Sequence, residues 1–227
     1  MPDGKNPLQA LQGGTGGTIV TVRSPSRRVV VVGAESTGTT TLARDLAHRL
    51  SVPWVPEFLR HHAEVRASEA GSIWDVAWTM ADFDLVADGQ DKLEGEAVAA
   101  WVGRPAPPPL LICDTDNLAT ALWCRRYLGS PAPQFLRRAA LRPPALYLLT
   151  TPEGVDFHQD GLRDGEHLRW EMTDWFRATL AEQPVPWVEV TGNRSTRVAQ
   201  SLRDIDRLTA ELRARQPTGD RATTKVI

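Results

Sequence analysis

Nine consecutive residues, Gly33-Ala34-Glu35-Ser36-Thr37-Gly38-Thr39-Thr40-Thr41, follow the apolar run Val29-Val30-Val31-Val32. Two glycines in the frame G-x-x-x-x-G, after a strand-like run and before helical spacing, let backbone N–H groups curl around a phosphate at a helix N-terminus. In the full motif a lysine follows the second glycine and reaches the β- and γ-phosphates, and the next Ser or Thr holds Mg²⁺. Here Thr39 stands at the lysine position, and Thr40 keeps the hydroxyl. The frame predicts nucleotide binding by Gly33, Glu35, Ser36, Thr37, Gly38, Thr39, Thr40 and Thr41. It speaks less clearly for phosphoryl transfer, because the loop's own cation is gone. A glycine-rich turn without a ligand is the plain alternative.

Four further segments carry chemistry. Asp114-Thr115-Asp116 closes the strand-like run Leu110–Cys113. In open α/β sheets the C-terminal strand edge faces the ligand crevice, so Asp114 is expected to hold Mg²⁺ or accept a hydroxyl proton. Asp116 either lines the same crevice or caps the helix that begins at Asn117. Glu57 and Arg60 follow the second strand. Glu57 suits a sugar hydroxyl or a general base, with Arg60 on the same helical face, unless the two form a plain surface ion pair. The stretch Asp156–Arg163 and then Arg169 have the character of a mobile lid whose arginines meet a transferring phosphoryl group; alone, the stretch would be an ordinary charged loop. Asn193, after the fifth strand, flanks the adenine or sits in a plain loop. The histidines lack metal-site spacing, and Ser36 lacks a G-x-S-x-G elbow, so neither a zinc centre nor a hydrolase triad is expected.

These groups need a scaffold, and the chain supplies alternating strand and helix signals. Strands are predicted at Arg28–Val32, Val52–Val55, Leu110–Cys113, Ala145–Leu149 and Trp187–Val190. Helices are predicted at Thr39–Leu50, from Phe58, at Ile73–Trp101 with weak points at Gly89 and Gly95, at Asn117–Leu128, Gln134–Ala140, Glu166–Glu182 and Thr196–Ala214. That alternation gives an α/β fold, a five-stranded parallel sheet covered on both faces. Residues 1–26 are expected to form a flexible arm, with Thr18–Val22 as a possible edge strand. Residues 27–215 form the domain, and 216–227 a polar tail. The 227 residues suit one such core, and the net charge of −2 gives no field for nucleic acid. No apolar run approaches the roughly 20 residues of a membrane span. Cys113 and Cys124 sit in apolar contexts, which points to a reduced, cytoplasmic setting rather than a disulfide framework. The eight tryptophans are assigned first to the core, with some free to line a pocket.

With these pieces placed, the chain resembles the nicotinamide riboside kinase domain of the NadR type, a three-layer P-loop kinase-like fold with a lid. The matching segments are Gly33–Gly38, Pro56-Glu57-Phe58-Leu59-Arg60, Asp82-Phe83 through Gly89-Gln90, Asp114-Thr115-Asp116 and Asp160-Gly161-Leu162-Arg163. The resemblance covers residues 28 to 210 and departs at Thr39. It implies transfer of the γ-phosphate of ATP, with Mg²⁺, to the 5′-hydroxyl of nicotinamide riboside, a step in NAD biosynthesis. It implies Thr40 and Asp114 on the metal and Asp114, Glu57 and Arg163 in catalysis. Arg169 and Asn193 join the nucleotide side, and Arg60, Gln90, Asp116, Trp78 and Phe83 the acceptor side. Trp74 and Trp123 are further stacking candidates. Two other readings stand beside it: a nucleotide-binding protein without turnover, regulatory or scaffolding, and a kinase for a different specialised-metabolism acceptor. The oligomeric state is not legible.

Overall fold

The structure is a computed structural model and describes residues 27–100, 110–130 and 132–214. The expected arm, its possible edge strand, the end of the helix predicted to reach Trp101 and the polar tail lie outside the described residues. Five strands, β1 (Arg27–Gly33), β2 (Trp54–Val55), β3 (Leu110–Asp114), β4 (Leu146–Thr150) and β5 (Trp187–Val190), form one parallel sheet in the order β2-β3-β1-β4-β5. The helices are α1 (Thr39–Leu50), α2 (Phe58–Ala70), α3 (Met80–Ala99), α4 (Asn117–Leu128), α5 (Pro133–Leu141), α6 (Arg169–Ala181) and α7 (Arg194–Ala214).

The central strands are apolar along their middle, as in the valine run of β1, because both faces are covered. Val29, Val31, Ile112, Leu146 and Leu148 point to one face and pack with α1 and α7 residues such as Leu42, Leu46, Val198 and Ile205. Val30, Val32, Leu111, Cys113, Tyr147 and Leu149 point to the other and pack with Phe83, Leu118, Leu122, Phe135 and Phe176. Alternation along each strand thus produces the three layers. The connection after β1 runs to β2 on one side and the connection after β3 runs to β4 on the other, so a crevice opens beyond the C-terminal ends of β1 and β3.

The predicted long helix from Ile73 is a correction. Ile73–Asp75 form a single 3₁₀ turn, and α3 starts only at Met80. The cause is a capping box: the Thr79 hydroxyl and backbone N–H pair reciprocally with Asp82, which fixes the helix start. The predicted helix from Glu166 likewise begins with a 3₁₀ turn, Glu166–Leu168, before α6. Gly89, read as a weak point, is a close approach: a Cβ there would lie 2.4 Å from the Phe58 ring.

Candidate functional site

The phosphate loop runs from the end of β1 into α1. Gly38 caps α1 with φ 85°, a backbone conformation that favours glycine. Gly33 is held by space instead: a Cβ there would lie 2.3 Å from Thr150 Oγ1 and 2.6 Å from Thr37 Oγ1. Ser36, at φ 56°, and Thr115, at φ 69°, are non-glycine residues in the same left-handed region, and both line the crevice. Strain of that kind gathers at functional sites. Thr37 turns inward: it donates to Ala34 O at 2.7 Å and meets Thr150 Oγ1 at 2.7 Å, so it braces the loop. Thr41 faces a separate small apolar hollow with Gly38, Leu42, Val155, Arg194, Arg197 and Val198.

Thr39 and Thr40 open α1 and form the floor of the crevice, with Glu57, Arg60, Trp78, Trp123, Tyr127 and Arg163 among its walls. Asp114 is buried behind that floor, and neither carboxylate oxygen has a well-formed hydrogen bond. Burial raises its pKa to about 6, while the neighbouring hydroxyls of Thr40 and Thr39 pull the other way. Glu57, at the N-terminus of α2, is pushed up to about 8 by burial and then by the nearby Asp114 charge. Two carboxyls shifted upward, one lining the crevice and one behind its floor, mark a candidate reaction centre.

The segment after β4 folds over the loop. Arg163 Nη1 donates to Ser36 Oγ at 3.0 Å, and His158 N donates to the same oxygen at 2.8 Å. Arg60 reaches across to Asp160 at 2.6 Å and is 3.7 Å from Glu64. Its carboxylate partners are therefore Asp160 and Glu64, and it ties α2 to the covering segment. Arg169 donates to Ser36 O and Val155 O, both at 2.9 Å, so it braces the loop's backbone from outside the crevice.

Several sequence-predicted residues lie elsewhere. Asp116 is buried under the sheet: it caps α4 through Leu118 N at 2.9 Å and accepts from Tyr147 OH at 2.9 Å. Its chain turns back beneath β1, so the helix-cap alternative describes its contacts. Gln90 is buried and accepts from Phe58 N at 2.9 Å, which caps α2. Phe83 is fully buried behind Trp78, ring centroids 5.8 Å apart. Asn193 accepts from Thr196 N at 3.0 Å at the start of α7. Trp74 is 66 % exposed, beside the segment after β4 rather than in the crevice.

Three residues escaped sequence reasoning. Tyr127 lies one turn after Trp123 on α4 and stands 4.9 Å from the Trp78 ring, completing an aromatic wall. The i, i+4 spacing of Trp123 and Tyr127 was its signal. Arg126 bridges Glu35 and Asp164, and nothing local in the sequence marks it. Arg197, buried on α7, donates to Thr37 O at 2.6 Å, Thr151 O at 2.8 Å, Glu153 O at 2.7 Å and Gly192 O at 2.6 Å. It locks the phosphate loop to the ends of β4 and β5 across a sequence distance that no motif spans.

A family model described as an AAA domain matches residues 28–197, and the chain belongs to that family. A search of curated proteins gave no match. Among solved structures, a NadR protein in complex with NR is similar at 26 % identity and TM-score 0.65, over 82 % of this chain and 52 % of that one. A NadR protein in complex with NAD and AMP-PNP is similar at 24 % identity and TM-score 0.60, over 81 % and 50 %. The chain thus spans about half the length of those relatives. The deoxyadenosine kinase of M. mycoides shares the fold at 10 % identity and TM-score 0.51, over 79 % of this chain and 99 % of that one. The architecture is that of the P-loop kinase-like proteins. Among the described residues, no helix is long and apolar enough to cross a membrane.

Proposed function

We propose that this protein is an ATP-dependent kinase that phosphorylates the 5′-hydroxyl of a nucleoside-like small molecule, nicotinamide riboside first. The observation that carries the reading is the meeting of three features in one crevice. These are a phosphate-loop floor with the buried Asp114 behind it, a carboxyl with a raised pKa at Glu57, and an aromatic wall of Trp78, Trp123 and Tyr127. The similarity to a NadR protein in complex with NR supports the choice of acceptor.

The two carboxyls divide the work. Asp114, with both oxygens unpartnered beside Thr40, is a hard-oxygen donor set that fits Mg²⁺. When bound there, the ion would neutralise charge on the β- and γ-phosphates. Glu57 lines the crevice itself and is the better general base, since a pKa near 8 lies close to working pH. The aromatic wall takes the planar base of the acceptor by stacking. Arg163, on the lid segment and against Ser36, supplies the cation that Thr39 does not. Residues 27–215 act as one catalytic domain.

The absent lysine favours a second reading, a nucleotide-binding protein without turnover. One assay separates the two: incubation with Mg-ATP and a panel of nucleosides, with mass spectrometry of the products. A nucleoside monophosphate is the expected result. ATP binding by calorimetry with no phosphorylated product from any nucleoside would select the binder.

A further inference from the structure

One buried cation connects three parts of the site that the sequence holds far apart. Arg126, on α4, has a side chain only 4 % exposed. Its Nη1 donates to Glu35 Oε1 of the phosphate loop at 2.8 Å, and its Nη2 pairs with Asp164 of the lid segment. The second oxygen of Glu35 accepts from the backbone N–H of Gly165 at 2.8 Å, and Tyr127 OH donates to Asp164 at 3.2 Å. The guanidinium also lies 4.7 Å from the Tyr127 ring centroid and 5.2 Å from that of Trp123, both in the acceptor wall. A Cβ at residue 165 would meet the guanidinium at 2.5–2.8 Å, so glycine is what lets the lid come this close.

We propose that Arg126 is a positioning residue, the pin of a latch that docks the lid onto the phosphate loop and thereby holds Arg163 over it. The physical case is that its two charged partners, Glu35 and Asp164, come from two segments far apart in the chain, while the two rings stand on its own helix. Glu35 comes from the loop, Asp164 and Gly165 from the lid, and the two rings from the acceptor side. A buried charge of this kind is held only while its partners are present, and removing one leaves the others uncompensated. Charge-assisted hydrogen bonds of this sort are also about twice as strong as neutral ones. The lid segment packs few apolar side chains, since residues 156–164 hold no fully buried residue, so these polar contacts dominate its docking.

The test is hydrogen exchange of residues 156–168 in the full chain, for wild type, Glu35→Gln, Asp164→Asn and Arg126→Lys. Lysine reaches one carboxylate but not both in the fork geometry. Each variant is expected to exchange at least about tenfold faster in the lid, with β1 and β3 unchanged. Lid exchange that stays at the wild-type rate in the folded Glu35→Gln and Asp164→Asn variants would overturn the proposal, as would a uniform acceleration that includes β1 and β3. A kinetic arm rests on the kinase reading. Asp164→Asn and Arg126→Lys should lower kcat about tenfold while ATP affinity, measured with AMP-PNP, changes little, and Arg126→Lys should retain more activity than Arg126→Met. Loss of turnover in the wild type would remove the kinase reading yet leave the exchange result to decide the latch.

Discussion

Replacing Arg163 with alanine, and then returning a cation to the phosphate loop, tests how this site manages without its lysine. Of the arginines around the loop, Arg169 and Arg197 donate to backbone carbonyls. Arg126 lies between Glu35 and Asp164, and Arg60 is held by Asp160 at 2.6 Å. Arg163 lines the crevice with Nη1 3.0 Å from Ser36 Oγ and 2.5 Å from His158 O and with Nε 3.6 Å from Asp160; with no short carboxylate pair among the described residues, it is the arginine best placed to turn onto a γ-phosphate. Removing an arginine in this role lowers phosphoryl transfer by about 10³ or more. At about 1.36 kcal/mol per decade, that is about 4 kcal/mol of transition-state stabilisation. Thr39 lines the same crevice from the first turn of α1, so Thr39→Lys brings a second charge to that crevice. A preorganised donor of that kind contributes about 10²–10³. The double variant Arg163→Ala/Thr39→Lys should therefore recover at least about 10² of the loss. Thr39→Lys alone should preserve or raise the rate by less than that, because two cations then share one set of oxygens. Single-turnover transfer from Mg-ATP gives the rates, and calorimetry checks that ATP still binds. A loss below about tenfold in Arg163→Ala, or a double variant no faster than the single one while ATP binding is kept, would refute the charge-replacement argument.

Gly38→Val should abolish ATP binding in calorimetry, because a β-branched residue is strained at φ 85° and its side chain enters the phosphate's space. Unchanged affinity would remove the phosphate-loop reading. Glu57→Gln should lower kcat at least about tenfold with ATP affinity nearly unchanged, whereas Asp114→Asn should also weaken the Mg²⁺ dependence. Titrating activity against Mg²⁺ in both variants distinguishes them, and equal Mg²⁺ profiles would contradict the division of roles. Stability should fall with rising pH: the folded chain holds Asp114 and Glu57 at about 6 and about 8, above their ordinary 3.8 and 4.5, so their contribution is full below those ordinary values and is lost as pH rises through the raised ones. Glu57→Gln should flatten the upper part of that decline and raise Tm at pH 8 by a few degrees, on the order expected for a domain this size, in thermal scans from about pH 5 to 8. A wild-type Tm that does not fall across that range would mean the crevice leaves these carboxyls ordinary.

Much of the frame was legible because its signals are local. The valine run of β1, the two glycines of the loop and the apolar spacing of α1 fix strand, turn and helix within about twenty residues. The bounds predicted for α1, α4 and β5 match the structure for the same reason, with Asp116 and Gly129 punctuating α4 at its two ends. Local patterns misled where two of them overlapped. Apolar spacing ran on through Ile73–Trp101, but the Thr79–Asp82 capping box competes with it and wins, because it satisfies backbone donors that a continuous helix would not need. The site's membership was less legible. Asp114 and Asp116 are two residues apart, yet one backs the crevice and the other turns under the sheet to Tyr147, an outcome set by the left-handed Thr115 between them and by the packing of β1 against β4. Gln90 carries polar groups suited to a substrate, but α2 needs its carbonyl as a cap. Arg126 and Arg197 join segments up to 160 residues apart, and only the closed fold brings their partners within hydrogen-bonding distance. The sequence by itself determined the strand, glycine turn and helix that make the phosphate-loop frame. The tertiary structure decided which side chains surround it, because burial and pairing depend on neighbours that local spacing does not encode.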